Sequence, residues 1–458
     1  SEREPFATLG RAEEALKPGD TVVVEDGEYS LGRGGLVVTK SGAADAPIAY
    51  RARNPGKVTL RASEKLAGFE HYKGKLWRAR LDKAPTMALE DNDPLHHRWE
   101  HKFDGPDDPR FERGFWQWFD GWFYVWPWED DDPNQHAFSV SFNSIVRLSG
   151  PVSHRVWEGF VFEHCYYGLH LGGADSRHHV VRNCLFKNGC MGVGGGQDSV
   201  IEHCTFLNLG PSKWEHGIYD GLENTVIRFC HFERIAGGAL HLYSKPRGIT
   251  ACYNTIGPPM TKRVSFAGHV GIYAWGRGEH KIHHNLIYGG HRIGISVNAP
   301  NCLIAHNTVL DTNMVGLWLY ERQTGNRVLN NIVAAAQPQP PAGSEPAGGS
   351  RTLIKVGATP NLLDFNLYAG QGKWSWLGKE AATAEAWRAL SAQDDHCIAD
   401  VPKFRGPARL DFRLAPGSPG VRAGTPVPEL SPAPSPDLGA FQGDDLWAER
   451  TGVTFLRR

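Results

Sequence analysis

A short motif that recurs seven times between residues 184 and 333 limits the possible folds more than any other feature of this sequence. Each copy has Cys or Asn first and a large apolar residue third, and successive copies begin 20 to 31 residues apart. The copies are Cys184–Phe186, Cys204–Phe206, Cys230–Phe232, Asn254–Ile256, Asn285–Ile287, Asn307–Val309 and Asn331–Val333. A period in the low twenties with one short strand in each repeat is typical of a solenoid. We therefore predict an all-β chain folded as a right-handed parallel β-helix, with the third residues stacked inside.

A second motif precedes the first of these copies once and then follows six of them after about ten residues, and it alternates aliphatic with variable positions. Its copies are Gly168–Leu171, Gly192–Gly195, Gly217–Asp220, Ala239–Leu242, Gly271–Ala274, Gly294–Val297 and Gly316–Leu319. The aliphatic residues are expected to face the core and the residues between them to face solvent. Asp220 falls in the inward register, where an unpaired carboxylate would be costly. Either the strand bends there, or Asp220 pairs with His216 or His241.

Changes in composition, together with proline and glycine residues, divide the rest of the chain into segments. Pro18-Gly19 ends a predicted N-terminal helix over residues 6–16, and the proline-rich segments 337–348 and 424–436 interrupt the tail, which contains a predicted helix at 379–391. A tryptophan-rich stretch breaks the repeat before residue 150, and its indole rings are expected to be mostly packing residues. The resulting segments are a cap with first rungs at 1–63, a β-rich insertion at 64–150, a central β-helix with the groove at 151–370, and C-terminal rungs with a tail at 371–458.

Charge and cysteine content exclude several classes of partner. The formal net charge is −1, so no overall field recruits nucleic acid or a membrane surface. No apolar run approaches the roughly 20 residues of a membrane span. The eight cysteines include no Cys-x-x-Cys pair, which favours buried thiols over zinc. We expect a monomer that is secreted or periplasmic, with a signal peptide already removed.

The outward positions of the second motif form columns, because neighbouring rungs lie about 4.8 Å apart. The first column is His170, Gly194, Tyr219, His241, Tyr273, Ser296 and Trp318; the second is Gly172, Gly196, Gly221, Tyr243, Trp275, Asn298 and Tyr320; the third is Ala174, Asp198, Glu223, Lys245, Arg277, Pro300 and Arg322. Exposed rings on adjacent rungs offer flat surfaces for the C–H faces of pyranose sugars, and the early glycines should leave a hollow. These columns therefore predict a polysaccharide or oligosaccharide partner, most simply an anionic one.

The chemistry expected of this face is cleavage of a uronic-acid polymer by β-elimination, which needs a carboxylate clamp, a base and an acid. Lys245 or His241 is the candidate base, Tyr243 the candidate acid, and Arg277 or Arg292 the clamp, since the planar guanidinium matches a carboxylate. The predicted catalytic residues are Lys245, Arg277, His241, Tyr243, His216 and Asp220. The predicted substrate-binding residues are Tyr219, Tyr273, Trp275, Arg292, Asn298, Trp318, Tyr320, Arg322, Glu215 and His291.

Two alternatives remain open. Hydrolysis needs two carboxyl groups about 5–5.5 Å apart for retention or about 6.5–9.5 Å apart for inversion. Asp198 and Glu223 stand one rung apart, with Glu215 and Asp220 near, so a hydrolase pair is available. The other alternative is a glycan-binding solenoid that cuts nothing, because one fold hosts many functions.

Three short segments add a resemblance to a known family. Ser244-Lys245, Tyr253-Asn254-Thr255 and Trp275-Gly-Arg277-Gly-Glu-His280 resemble the central rungs of polysaccharide lyase family six, which includes alginate lyases and chondroitinase B. The resemblance covers about 40 residues and implies that Lys245 is the base and Arg277 the acid. Arg277 lies one residue later than in the family pattern. The acidic residues that hold calcium in the family are replaced by Leu240, His241 and Leu242. Calcium therefore stays open as a cofactor although its usual ligands are not matched, and no other metal or cofactor is predicted.

Overall fold

The computed structural model describes residues 5–97, 103–173, 175–219, 222–243, 245–261, 268–335, 351–430 and 433–456. In these ranges three long, almost entirely parallel sheets wind around one core, which confirms the predicted parallel β-helix. A right-handed path is expected, because connections between parallel strands of one sheet almost always have that hand. The α-helices of the described residues are Leu9–Ala15 and Ala384–Ser391, and none of the described helices is long and apolar enough to cross a membrane.

The groove sheet is the one that contains the second motif. Its strands are Leu36–Val38, Val146–Leu148, Tyr167–His170, Met191–Gly194, His216–Tyr219, Gly238–Leu242, Val270–Trp275, Ile293–Asn298, Val315–Leu319, Thr352–Val356, Lys373–Trp376 and the antiparallel Lys379–Ala381. The inward residues of its strands pair in register from Leu169 to Ile354, and all of them are fully buried. Burying such a side chain stabilises the fold by about 1.5–3 kcal/mol.

The other two sheets complete each turn of the solenoid. The ladder sheet, which contains the first motif, consists of Gly27–Ser30, Val58–Arg61, Phe160–Glu163, Leu185–Gly189, Thr205–Leu209, His231–Ile235, Thr255–Ile256, Leu286–Ile287, Thr308–Leu310, Ile332–Ala334, Leu367–Ala369 and Ile398–Ala399. The back sheet consists of Thr21–Val24, Ile48–Ala52, Arg155–Glu158, Val180–Arg182, Val200–Glu202, Val226–Arg228, Thr250–Cys252, Lys281–His283, Leu303–Ala305, Arg327–Leu329 and Leu362–Asp364. Phe162, Phe186, Phe206 and Phe232 stack face to face inside the ladder sheet, with centroids 4.6–4.9 Å apart.

The first residues of the first motif form a buried column at one corner of the solenoid. The thiols of Cys184, Cys204 and Cys230 donate to backbone carbonyls of the preceding rung. The column continues as asparagines, each of which donates from Nδ2 to the Oδ1 of the next at 3.0 Å: Asn254, Asn285, Asn307, Asn331 and Asn366. Asp394 ends the column by accepting from Asn366. All eight cysteines are free and buried, as the sequence predicts.

The insertion forms two antiparallel sheets, which we call the lobe. One consists of Ser63–Leu66, Met87–Glu90, Asp93–Pro94 and Phe138–Ser141, and the other of Glu70–Lys73, Leu76–Arg80, Trp116–Phe119 and Trp122–Val125. The short 3₁₀ helix Pro133–Gln135 precedes its last strand. Trp116 and Trp128 are buried in this lobe. The strand Val146–Leu148, which the sequence places in the insertion, pairs with Leu36–Val38 and Tyr167–His170 and therefore belongs to the solenoid.

The C-terminal segment differs from its prediction and then runs back along the solenoid. The helix begins at Ala384 rather than at residue 379, because Thr383 caps it and Lys379–Ala381 is an edge strand. The remaining elements are the strand pair Phe404–Gly406 and Asp411–Leu414 and the 3₁₀ turns Pro407–Arg409, Trp447–Arg450 and Thr454–Leu456. The amide of Ala440 bonds to Thr308, that of Val453 to Thr205 and that of Thr454 to Asn183. The tail therefore ties successive rungs together from outside.

Candidate active site

The outward side chains of the groove sheet lie in one column. Strand pairing joins His170 to Gly194, Tyr219, His241, Tyr273, Ser296 and Trp318 in that order, and adds Lys355 on the next rung. Trp275 and Asn298 are also partners, which starts the second column. Rings that the sequence separates by more than twenty residues are therefore neighbours in space.

An aromatic cluster occupies the middle of this face. His241 lies at its centre, with ring centroids 4.3 Å from Tyr273, 5.2 Å from Tyr243, 5.3 Å from Tyr219 and 5.5 Å from Trp275. Tyr243 is 43% exposed, whereas His241 is only 8% exposed. The surface that a sugar would meet here is therefore made by tyrosine and tryptophan rings, with the imidazole beneath them.

His216 and His241 form a direct hydrogen bond on adjacent rungs. Nε2 of His216 lies 2.9 Å from Nδ1 of His241, and Nδ1 of His216 accepts from the backbone amide of Gly238 at 2.9 Å. Burial lowers the pKa of His241 to about 3, and burial together with the neighbouring His241 holds the pKa of His216 well below its usual value of 6.5. Both imidazoles are therefore neutral near pH 7.

The predicted cations of the groove differ in how far they are already paired. Arg277 donates to a carboxylate oxygen of Glu223 at 2.7 Å and to the backbone carbonyl of Lys245 at 2.9 Å. The Lys245 ammonium and the Arg292 guanidinium are exposed and have no ion-pair partner among the residues that the structure describes. The charge of Arg292 acts on Tyr273 and Tyr320, where it opposes the rise in phenol pKa that burial causes. Arg292 is thus a free positive charge beside the aromatic cluster.

The far end of the groove holds a second group of rings. The Trp275 indole donates to Ser296 Oγ at 3.0 Å, which fixes its orientation. Trp318 stacks on Tyr320 at 4.3 Å, and Lys355 Nζ lies 4.2 Å from the Trp318 ring centre. Because the protein's own groups occupy much of the Trp318 ring, Tyr320 and Trp275 are better placed than Trp318 to meet a sugar.

Two polar side chains and a backbone group support this end of the groove. Asn298 accepts a hydrogen bond from Gln323 at 3.0 Å. His280, fully buried, donates to the backbone carbonyl of Trp275 and so holds that strand end in place. Arg322 is exposed at a turn with a positive φ of 71°. It lies at the rim of the groove rather than on its floor.

Several sequence predictions need correction. Glu215 is buried and accepts from the amide and hydroxyl of Ser212, and His291 is buried and donates to the carbonyl of Gly257, so both shape turns instead of facing substrate. The hollow expected at Gly194 is filled, since a Cβ there would lie 2.6 Å from the Tyr167 ring. Asp220, for which the sequence leaves either a bend in the strand or a pair with His216 or His241, lies outside the described residues.

The carboxylates considered for hydrolysis are already engaged. Glu223 is ion-paired with Arg277, and Asp198 accepts from Asn224 at 3.2 Å and lies 3.8 Å from Arg177. Within the described ranges, no group of three or more His, Cys, Asp or Glu side chains could hold a metal ion.

The lobe borders the first rungs of the groove. Met87 and Leu89 of its central strand pack in one apolar cluster with Cys190 and Met191, and Tyr219 of the first column joins the edge of that cluster. Asn92 of the lobe also bonds to His164. The lobe thus forms a side wall at the N-terminal end of the face.

Sequence reasoning missed Lys355 and Trp214. Lys355 continues the first column, but the residues 336–350 before its strand interrupt the repeat that would have identified it. Trp214, 45% exposed, lies in the turn that leads into His216–Tyr219. A large apolar ring directly before a groove strand was the available signal for it.

Comparison with known proteins places this site on a shared scaffold. No model of a known protein family matches the chain. The uncharacterized protein YwoF of Bacillus subtilis (strain 168) is 27% identical over 154 residues, which are 30% of this chain and 31% of that protein, so the match spans about a third of each.

Solved structures are similar over most of the chain. The complex of XylC with xylose has a TM-score of 0.55 and 11% identity, over 88% of this chain and 85% of that one. Pectate lyase Pel9A has a TM-score of 0.54 and 15% identity, over 96% and 92%. A glycoside hydrolase has a TM-score of 0.51 and 15% identity, over 81% and 91%. At these identities the likeness shows the fold: the chain is a parallel β-helix like those of carbohydrate-active proteins.

Proposed function

We propose that this protein is a polysaccharide lyase that cleaves a uronic-acid-containing polysaccharide by β-elimination. The observation that carries the proposal is the combination, on one face, of an aromatic cluster with exposed cations that have no ion-pair partner among the described residues, Lys245 and Arg292. Aromatic rings bind the sugar faces, and unpaired cations attract carboxylates. A monomer acting outside the cytoplasm, secreted or periplasmic, is the setting that we propose for it.

The roles follow from which cations are already bonded within the described part of the chain. Arg292 is the carboxylate clamp, because its planar fork has no ion-pair partner there, whereas that of Arg277 is bonded to Glu223. Neutralising the carboxylate acidifies the adjacent C5 proton, which Lys245 removes as the base. The electron pair of that C–H bond becomes the C4=C5 double bond while the C4–O bond breaks, and Tyr243 donates a proton to the leaving oxygen. Arg277 contributes through Lys245, since its Nε bonds to the lysine's backbone carbonyl.

The test is a panel of uronate polymers: alginate, pectate and a glycosaminoglycan. A lyase produces the ultraviolet absorbance of a conjugated double bond at new chain ends. Lys245→Ala should lower kcat by about 10²–10⁴-fold, the usual contribution of a general base. The matched control is Lys281→Ala, because Lys281 is also exposed on a strand but lies on the back sheet. Circular dichroism checks that both variants fold.

The outcomes separate the three functional classes. Unsaturated ends from at least one polymer, lost in Lys245→Ala and kept in Lys281→Ala, support the lyase. New reducing ends without the absorbance would overturn it in favour of hydrolysis. Binding of a polymer without any cleavage product would overturn the lyase in favour of a glycan-binding solenoid. In that case the variants would change only the binding affinity, because there is no turnover to lose.

A further inference from the structure

The backbone amide of Gly238 determines where the protons lie on two neighbouring imidazoles. An amide N–H can only donate, so the Nδ1 of His216 that receives it must carry a lone pair. His216 is neutral, so its proton is on Nε2, and this N–H points to Nδ1 of His241. Nδ1 of His241 must then accept, and its own proton is on Nε2. The order of donors and acceptors is fixed from the amide outward.

The last donor of this hydrogen-bonded series is Nε2 of His241, and it has no acceptor in the described part of the protein. Nε2 of His241 is buried and makes no hydrogen bond to the residues that the structure describes. Leaving a buried donor unsatisfied is unfavourable, because its lost bond to water is not replaced, so such a group in a native structure needs an explanation. His241 occupies an outward position in the middle of the groove column, between Tyr219 and Tyr273. The missing acceptor is therefore expected on the groove side.

One of the rings over His241 is suited to give way. Tyr243 is the most exposed member of the aromatic cluster, and its hydroxyl bonds to none of the described residues. Its contacts are with rings at 5.2 Å from His241, 6.3 Å from Tyr219 and 6.3 Å from Trp275. Rotation of Tyr243 breaks no hydrogen bond to the described residues and uncovers the imidazole. A sugar bound beside the rotated ring brings oxygens within reach of Nε2, and the Tyr243 hydroxyl stays next to that sugar.

We propose that His241 is a fixed hydrogen-bond donor to an oxygen of the bound saccharide, and that His216 is a positioning residue that sets the His241 tautomer through Gly238. The proposal rests on the proposed function, because it takes a uronate oligosaccharide as the ligand. It also removes His241 from the candidate bases, since the only lone pair on its ring already accepts from His216. Lys245 is then the group available for proton removal.

Nitrogen-15 NMR of the intact protein, labelled in histidine, tests the tautomers without any substrate. At neutral pH, His216 and His241 should each show a proton-bearing Nε2 and a bare Nδ1. A proton on Nδ1 of either ring would overturn the proposal. This measurement needs no substrate, so its result is informative even if the protein cleaves none of the polymers.

Addition of tri-galacturonate or tri-mannuronate tests the donor itself. Binding is followed by tryptophan fluorescence, because Trp275 adjoins His241, and the His241 Hε2 resonance should shift as the complex forms. Saturable binding with an unchanged Hε2 resonance would overturn the donor role. If neither oligouronate binds but both tautomers are as expected, the uronate substrate of the proposed function is wrong. The hydrogen bonds from Gly238 through His216 to His241 are then still supported.

Two variants at position 216 distinguish an effect of His216 on the His241 tautomer from an effect of His216 on packing. His216→Gln can still donate to His241 Nδ1 from its amide, whereas His216→Leu cannot. We expect His216→Leu to lower kcat/KM by about 3- to 10-fold, the worth of one neutral hydrogen bond, and to leave His241 in a mixture of tautomers. His216→Gln should keep both the single tautomer and the activity. Equal losses in the two variants, with the His241 tautomer unchanged in both, would overturn the positioning role.

Discussion

The buried carboxylate that ends the asparagine column is expected to make the last rungs less stable as the pH rises. Asp394 accepts from Tyr368 at 2.7 Å and from Trp387 at 3.2 Å, and it is 1% exposed. Burial raises the pKa of Asp394 from 3.8 to about 6, against the opposing effect of these hydrogen bonds. Because the folded state holds the proton more tightly than the unfolded chain, this group favours folding most below about pH 4. That contribution is lost as the pH rises through about 6.

The magnitude follows from the two pKa values. The difference between 3.8 and about 6 corresponds to about 3 kcal/mol, since each tenfold change in proton affinity is worth 1.36 kcal/mol. Asp394→Asn keeps an oxygen for Asn366 and removes the charge. Any cost from the lost acceptor of Trp387 is the same at every pH and cancels from the comparison. Between about pH 4 and about pH 7, the unfolding free energy of the variant relative to wild type should therefore rise by about 2–3 kcal/mol.

Urea unfolding followed by the NMR signal of the Trp387 indole N–H measures this difference, because that indole bonds directly to Asp394, whereas fluorescence would report all 15 tryptophans. Solenoids unfold rung by rung, so a probe at the affected rungs is more informative than a global signal. Asp395→Asn is the matched control, since Asp395 is the next residue and is exposed. A difference between Asp394→Asn and wild type that stays constant from about pH 4 to about pH 7 would refute the reasoning, as would an equal change in the control.

Two further predictions concern the column and the lobe. Asn307→Ala leaves the backbone amide and Nδ2 of Asn285 without their acceptor and should lower the unfolding free energy, measured in urea, by about 3 kcal/mol or more. The control Asn54→Ala removes a hydrogen bond at the exposed surface and should change the unfolding free energy by less than about 0.5 kcal/mol. Equal effects of the two variants would contradict the role of the asparagine column. In the lobe, a hydrogen bond to Asp91 raises the pKa of His136 to about 9, so its stabilising effect is full below about pH 6.5 and disappears as the pH rises through 9. The Tm difference between wild type and His136→Asn should shrink over that range, and a constant difference would count against the ion pair.

The regular part of the fold follows from sequence because its rules are local and periodic. A strand alternates its side chains with a period of two, so the inward series from Leu169 to Leu317 could be read directly, and the structure pairs these residues in the same register. Each asparagine of the first motif lies at a turn where its side-chain amide supplies the hydrogen-bond partners that the backbone lacks. Where the repeat is interrupted by residues 336–350, the same rules no longer identify the next strand, and Lys355 is missed.

The candidate site could be predicted as a set of neighbours but not as a set of bonds. That Tyr219, His241 and Tyr273 share a column follows from register alone. The bond from His216 to His241 depends on the His216 ring reaching the next rung, where it also accepts from the amide of Gly238. No sequence pattern predicts that side-chain direction. The pairing of Arg277 with Glu223 likewise joins turn residues two rungs apart, beyond the strand register. Side-chain direction at turns is what the sequence leaves open.

The distribution of charge gives the strongest argument for an anionic ligand in a protein whose formal net charge is −1. Two arginines of the rim are matched within the protein: Arg247 pairs with Glu279 and Arg277 with Glu223. Beside the aromatic cluster, Lys245 and Arg292 lack such partners among the described residues. A bound sugar that displaces water from these side chains would strengthen their attraction for a ligand carboxylate. A ligand that brings carboxylates at regular intervals satisfies this face, whereas a neutral glycan leaves the charges uncompensated.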